Sequence, residues 1–159
     1  ERILSINDER VKVRIPKGVR TGSRLRLKQK GNIQPGTGRR GDLFLVLEVE
    51  KHLIWNLDGN QLKADLPVSI EELVLGGKIK VVLPDGEAHL NIPKASLPGN
   101  YMRLKGKGWP EGEVRGDLIF RLILEFPDEW SLEELEVFKN LKQLRKIDPR
   151  KSWIESAVL

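Results

Sequence analysis

The strongest constraint on this chain is that it says the same thing twice. Val13-Arg-Ile-Pro-Lys-Gly18 returns as Leu90-Asn-Ile-Pro-Lys-Ala95, and Gly22 returns as Gly99. Arg26-Leu-Lys28 matches Arg103-Leu-Lys105, and Lys30-Gly31 matches Lys107-Gly108. After a loop two residues shorter, Arg40-Gly-Asp-Leu43 matches Arg115-Gly-Asp-Leu118. Ordered matches at nearly constant offset mean two copies of one structural unit in tandem.

Each copy reads as β-structure. Val11, Val13 and Ile15 alternate with Lys12 and Arg14, and Leu25 and Leu27 alternate with Arg24, Arg26 and Lys28. That is the period of a half-buried strand. Residues 43–49 and 118–126 are longer apolar runs that suit more deeply buried strands, and 62–66, 78–83 and 101–105 add further strands. Proline and glycine punctuate the gaps. Two helices interrupt the pattern. Ser69-Ile-Glu-Glu72 and Ser131-Leu-Glu-Glu134 both have the form of a capping box, with Gly76-Gly77 closing the first helix after about two turns. Trp130 and Leu135 stand where a hydrophobic staple would form, Leu132, Leu135, Phe138, Leu141 and Leu144 continue the second helix, and Asp148-Pro149 is expected to end it. The tail beyond carries Trp153, Ile154, Val158 and Leu159, which need somewhere to dock.

The fold expected is therefore mostly β: two tandem small sandwiches or barrels, with a short helix in the second and an amphipathic helix at the C-terminal end. The expected division is 1–55, 56–128 and 129–159. In the second copy, strand 62–66 and the Ser69 helix precede strand 78–83. Their counterparts in the first copy would fall before residue 1, so the first copy is expected to be cut short or naturally reduced.

Composition narrows the functions open to such a chain. With 28 Lys+Arg against 23 Asp+Glu the net charge is +5, too small an excess to argue for nucleic acid by itself. There is no cysteine, which excludes disulfides and thiolate zinc sites, and His52 and His89 form no ligand pair. No apolar run is long enough to span a membrane as a helix. The glycines lack the strand-loop-helix setting of a phosphate loop, and Asp42 and Asp117 are expected to cap turns entering strands. No nucleophile, paired acid and base or ligand cluster is visible, so no enzyme and no cofactor is expected.

The repeated segments resemble the C-terminal region of the DnaJ family over nearly the whole chain. Gly22-Ser-Arg-Leu-Arg-Leu27 is similar to the family's first G-x-R-x-R-L turn, and Gly41-Asp-Leu43 to its Gly-Asp-Leu. Leu75-Gly-Gly-Lys-Ile-Lys-Val81 followed by Asp85-Gly86, and Arg103-Leu-Lys-Gly-Lys-Gly-Trp-Pro110, resemble motifs of its second domain. At the junction the family reads His-Pro-x-Phe-x-Arg, whereas this chain has His52-Leu-Ile-Trp-Asn-Leu57. The sequence contains no His-Pro-Asp tripeptide, hence no J-domain, and it resembles the class without a zinc module.

The resemblance implies a cytoplasmic co-chaperone of protein folding and stress response. Its partners would be unfolded client polypeptides and a DnaK-type chaperone, with no membrane and no expected nucleic acid. Clients would pair with a sheet edge in the first domain, over Leu4, Ile6 and Val11, with Trp55 in place of the family's aromatic wall. The same residues suit an ordinary sandwich core, and both uses stay open. The resemblance also implies a role for Arg2, Arg10 and Lys12 in attracting the partner's acidic tail. It implies a homodimer through Leu135, Phe138, Leu141 and Leu144, with packing inside one chain as the other use of that helix. The runner-up is a basic β-rich RNA-binding or ribosome-associated protein, suggested by the cationic strands 24–28 and 103–107. Lysines along sheet edges also guard against aggregation.

Overall fold

The computed structural model describes residues 1–157, so Val158 and Leu159 of the tail lie outside the described residues. The chain separates into one compact unit over Glu1–Leu124 and another from Glu125 onward. Both repeated modules lie in the first unit.

The first module is two hairpins. β1 (Arg2–Ile6) pairs antiparallel with β2 (Glu9–Val13), and β3 (Arg24–Leu27) with β4 (Leu43–Val46). Asn7 and Asp8 both adopt positive φ, as the tight turn of a two-residue hairpin requires. The second module begins with β5 (Asn56–Asp58), β6 (Gln61–Val68) and α1 (Ile70–Leu75). It then repeats the first: hairpin β7 (Gly77–Leu83) and β8 (Gly86–Ile92), then β9 (Tyr101–Leu104). A short β10 (Pro110–Glu111) and β11 (Val114–Arg115) precede β12 (Leu118–Leu124). β12 pairs antiparallel with β9, as β4 does with β3, and also parallel with β6, giving the order β5-β6-β12-β9. The fold is mostly β, as the repeat implied.

The repeated motifs have identical work in both copies. Asp42 accepts the Gln29 N–H at 2.9 Å and pairs with Arg26, while Asp117 accepts the Gly106 N–H at 2.9 Å and pairs with Arg103. These are the turn caps expected of the two Gly-Asp-Leu motifs. The Gln29 amide, followed by the Arg26 guanidinium, holds the Asp42 carboxyl below the usual range. Gly31 and Gly108 are glycine for reasons of space. Their N–H groups donate to the carbonyls of Gly41 and Gly116, and a Cβ on either would press on the backbone carbonyl of Asp42 or Asp117. A third device ties each leading hairpin to its loop. Glu9 bridges Lys30 and Arg40 at 2.8 and 3.0 Å, and Asp85 bridges Lys107 and Arg115 at 3.4 and 2.7 Å.

The core is concentrated in the second module. Leu62 and Ala64 of β6, Val81 and Leu83 of β7, Leu90 of β8 and Leu118 and Phe120 of β12 form one buried cluster. Val68, Leu73, Ile92 and Leu122 form a second beneath α1. In the first module Val13 is the one buried hydrophobic side chain among the described residues. Strands are shorter than the apolar runs suggested: β4 stops at Val46 and β12 at Leu124, and Ile15 lies beyond β2. Past β4, the Val49 N–H turns to the Thr21 hydroxyl instead of extending a ladder.

The second unit holds α2 (Leu132–Leu144) and α3 (Lys151–Ser156). Both capping boxes form, at Ser69 with Glu72 and at Ser131 with Glu134. The entry to α2 is anchored by Trp130 packing edge-on against Phe138, one turn beyond the Leu135 position of the expected staple. α2 ends at Leu144, four residues before Asp148-Pro149, where Arg145 turns to extended backbone. Asp148 instead receives the Arg150 N–H in the turn that starts α3. Among the described residues no helix is long and apolar enough to cross a membrane.

Leu122 is fully buried, so Leu122→Ala should cost roughly 2–5 kcal/mol in urea unfolding. Val82→Ala, on the outer side of β7, should stay within about 0.5 kcal/mol. The Lys30 and Arg40 contacts hold Glu9 below its usual range, and Arg115 with Lys107 does the same for Asp85. A carboxylate depressed in the folded state stabilises it fully above its unfolded value, and loses that contribution as pH falls through the folded one. The unfolding midpoint should thus be flat from neutral pH to about 5 and fall below ~4. The fall should be shallower in Glu9→Gln with Asp85→Asn.

Candidate functional site

Strand alternation decides what β1 and β2 can present. Leu4 stands opposite Val11 in the register, and Arg2 opposite the buried Val13, so Arg2, Leu4, Ile6, Val11 and Val13 share one face. Ile3, Ser5, Arg10 and Lys12 share the other. Leu4, Ile6 and Val11 are therefore brought together, as expected. This face is the counterpart of one that the second module buries. The repeat places Leu4 on Val81, Ile6 on Leu83 and Ile15 on Ile92. Leu4 and Ile15 are each 36% exposed, whereas Val81 is 4% and Ile92 2%. The difference has an identifiable source. In the second module β6 and α1 supply Leu62, Ala64, Val68 and Leu73 to the core, and the described first module has no counterpart of either. Both outer edges of the β1–β2 sheet are without a strand partner among the described residues.

Trp55 is placed differently. Its ring lies 6.0 Å from that of Phe120, against the core of the second module. It is a structural anchor of that module, and none of its described packing partners lies on the Leu4 face. The junction lacks the family's proline, yet its turn is tied down. The His52 ring accepts, at Nδ1, the N–H groups of Ile54 at 3.1 Å and Trp55 at 3.3 Å. The histidine in the junction motif was visible in the sequence, but its acceptor role depends on a backbone turn that periodicity does not reveal.

The three cations singled out for an acidic tail do not form one patch. Arg10 and Lys12 lie on the outer face of the hairpin and Arg2 on the inner one, because β1 and β2 alternate out of step with that grouping. Lys12 is also paired with Glu1 at 2.8 Å, both side chains more than half exposed. Such an exposed pair is easily exchanged for another carboxylate.

The α2 residues need a similar correction. Leu135 and Leu144 are nine residues apart, two and a half turns, and so point to opposite sides of the helix. Phe138 is half-buried against Trp130. A coherent exposed face exists instead at the i, i+4, i+7 positions Val137, Leu141 and Leu144, which are 65%, 45% and 75% exposed. Val137 falls outside a spacing of three, which winds around the helix instead of keeping to one face.

A shallow cavity of about 350 Å³ lies outside all of these groups, on the outer face of the four-stranded sheet. Ile54, Tyr101 and Ile119 border it. Arg121 crosses its floor to Asp65 in a two-pronged pair at 2.8 and 2.7 Å, which holds the Asp65 carboxyl below its usual range. Among the described residues no cluster of His, Cys, Asp or Glu is placed to hold a metal.

These features have matches among known proteins. A family model described as the DnaJ C terminal domain matches residues 3–127. The chain is 39% identical over 153 residues to the DnaJ-like protein slr0093 of Synechocystis, a match that covers 96% of this chain and 46% of that protein. It is 37% identical over 147 residues to the chaperone protein DnaJ of Deinococcus proteolyticus, covering 92% of this chain and 46% of the relative. For the chaperone protein DnaJ of Chlorobium limicola the figures are 38% over 144 residues, 89% and 36%. The chain thus spans less than half the length of these relatives. With the tandem modules, the duplicated Gly-Asp-Leu caps and a family match from residue 3 to residue 127, this chain belongs to the DnaJ C-terminal domain family.

Proposed function

We propose that this chain is a non-enzymatic binding module that receives extended, unfolded polypeptide on the Leu4–Ile6–Val11 face and serves a DnaK-type chaperone in the cytoplasm. The observation that carries the reading is the pairing register of a DnaJ C-terminal domain, which puts Leu4, Ile6 and Val11 side by side on one face of the β1–β2 hairpin, with Leu4 36% exposed. An unpaired edge offers a client backbone hydrogen bonds, and the apolar face takes its side chains. Each well-buried client side chain contributes roughly 1.5–3 kcal/mol before ordering costs. A few such contacts give weak, reversible holding, which suits delivery to another chaperone.

The RNA-binding reading is not favoured by the charge arrangement. Of the cations in strands 24–28 and 103–107 and the loops after them, Arg26, Lys30, Arg103 and Lys107 each pair with an acidic side chain of the same module. Counterion release from a nucleic acid would first have to break those pairs. For the acidic tail of a DnaK-type partner, the outer-face residues Arg10 and Lys12 form the compatible pair. For a homodimer, the Val137–Leu141–Leu144 face is the one that can meet its copy.

Leu4→Ser and Ile6→Ser should each weaken binding of an unfolded apolar peptide about tenfold, the equivalent of ~1.4 kcal/mol, in fluorescence anisotropy. Ile3→Ser, on the opposite face, should leave it unchanged. Equal affinity for all four proteins, with melting curves showing the fold intact, would overturn the client site. In sedimentation equilibrium, Val137→Asp with Leu141→Asp should convert a dimer to a monomer. A wild-type chain already monomeric at high concentration would remove the dimer from the reading.

A further inference from the structure

The two copies of the Ile-Pro-Lys motif end differently, in Gly18 and in Ala95, and the structure supplies the reason. Both residues adopt a left-handed backbone, φ +79° at Gly18 and φ +58° at Ala95. The turn alone therefore does not demand glycine, since alanine fills it in the second module. What differs is the neighbour. A Cβ on Gly18 would fall on the carbonyl oxygen and carbon of Pro110, far inside the ~3.5 Å of ordinary contact. Pro110 belongs to β10 of the second module. Two residues on from Gly18, Arg20 reaches Glu111, also of β10, at 3.4 Å. The side chains of that pair are 42% and 63% exposed, so it contributes little by itself. The backbone contact is the closer constraint.

We propose that Gly18 seated on Pro110 is a non-covalent joint that, with the covalent junction at residues 47–55, locks the two modules into a single rigid body. One tether leaves a module free to swing. Here the junction is anchored by Trp55 against Phe120 and by the His52 turn, and a second attachment at Gly18 removes the swing that remains. The proposal concerns the orientation of the modules and does not depend on what the first of them binds. Gly18 is thus a positioning residue whose lack of a side chain permits a contact between repeats.

The chain has no cysteine, so two introduced ones give a clean pair of spin labels. Ser5→Cys on β1 and Asn91→Cys on β8 are exposed strand positions in different modules. In the otherwise unaltered full chain, the inter-label distance should be one narrow population. A broad distribution there overturns the joint without any further variant. Gly18→Ala should shift or widen the distribution. Gly36→Ala, at φ +88° with nothing within 4 Å of its Cβ, carries the same backbone strain without the contact and should leave the distribution unchanged. A folded Gly18→Ala protein with the unaltered distribution also overturns it, as does equal widening in both variants. Circular-dichroism melting of each variant separates loss of the joint from loss of the fold.

Discussion

The parallel pairing of β12 with β6 turns two hairpins into a closed module. It sets Leu62, Ala64 and Val68 beside Leu118, Phe120, Leu122 and Leu124 in one register, so that alternate side chains of both strands enter the same core. β6 cannot reach β12 by a tight turn, because parallel strands need a long crossover. The chain between them supplies α1 and the whole repeated unit, and α1 places Leu73 over the lower end of the core. Remove β6 and α1 from this scheme and what remains is the described first module: two hairpins whose inward faces are incompletely covered. The open face of β1–β2 and the sealed face of β7–β8 are thus one structural motif with and without its lid.

The duplicated polar motifs act independently of that core. In each copy an aspartate at the entry to the last strand captures a backbone amide and an arginine, and a glycine in the preceding loop lets the two segments touch. The hairpin-to-loop ion triad is kept even though its acid has moved one place along the turn, from Glu9 in one copy to Asp85 in the other. Because these ties are local and polar, the first module keeps its backbone geometry with one buried hydrophobic side chain among the described residues.

Much of this was legible in the residues. The repeat and the two capping boxes follow from spacing alone and appear where the spacing puts them, while the alternating strands are present but shorter than their apolar runs. Other features were read wrongly for stated physical reasons. A three-residue period on α2 joined Leu135 to Leu144, although a helix turns them to opposite sides. Grouping Arg2 with Arg10 and Lys12 ignored the alternation of two strands around the Asn7-Asp8 turn. For Trp55 the sequence leaves a groove wall and a core role both open, and its neighbours are those of the second core.

What the amino-acid sequence determined by itself is therefore everything that depends on near neighbours in the chain: the duplicated unit, its strands and turns, its helix starts and its membership of a β-rich family. Only the tertiary structure decided which of two equivalent faces is sealed, that Gly18 is short of room where Ala95 is not, and that Arg26 and Arg103 of the basic strands are already paired. Those outcomes depend on segments distant in sequence meeting in space. Periodicity records which side of an element a residue occupies, but not what stands opposite it.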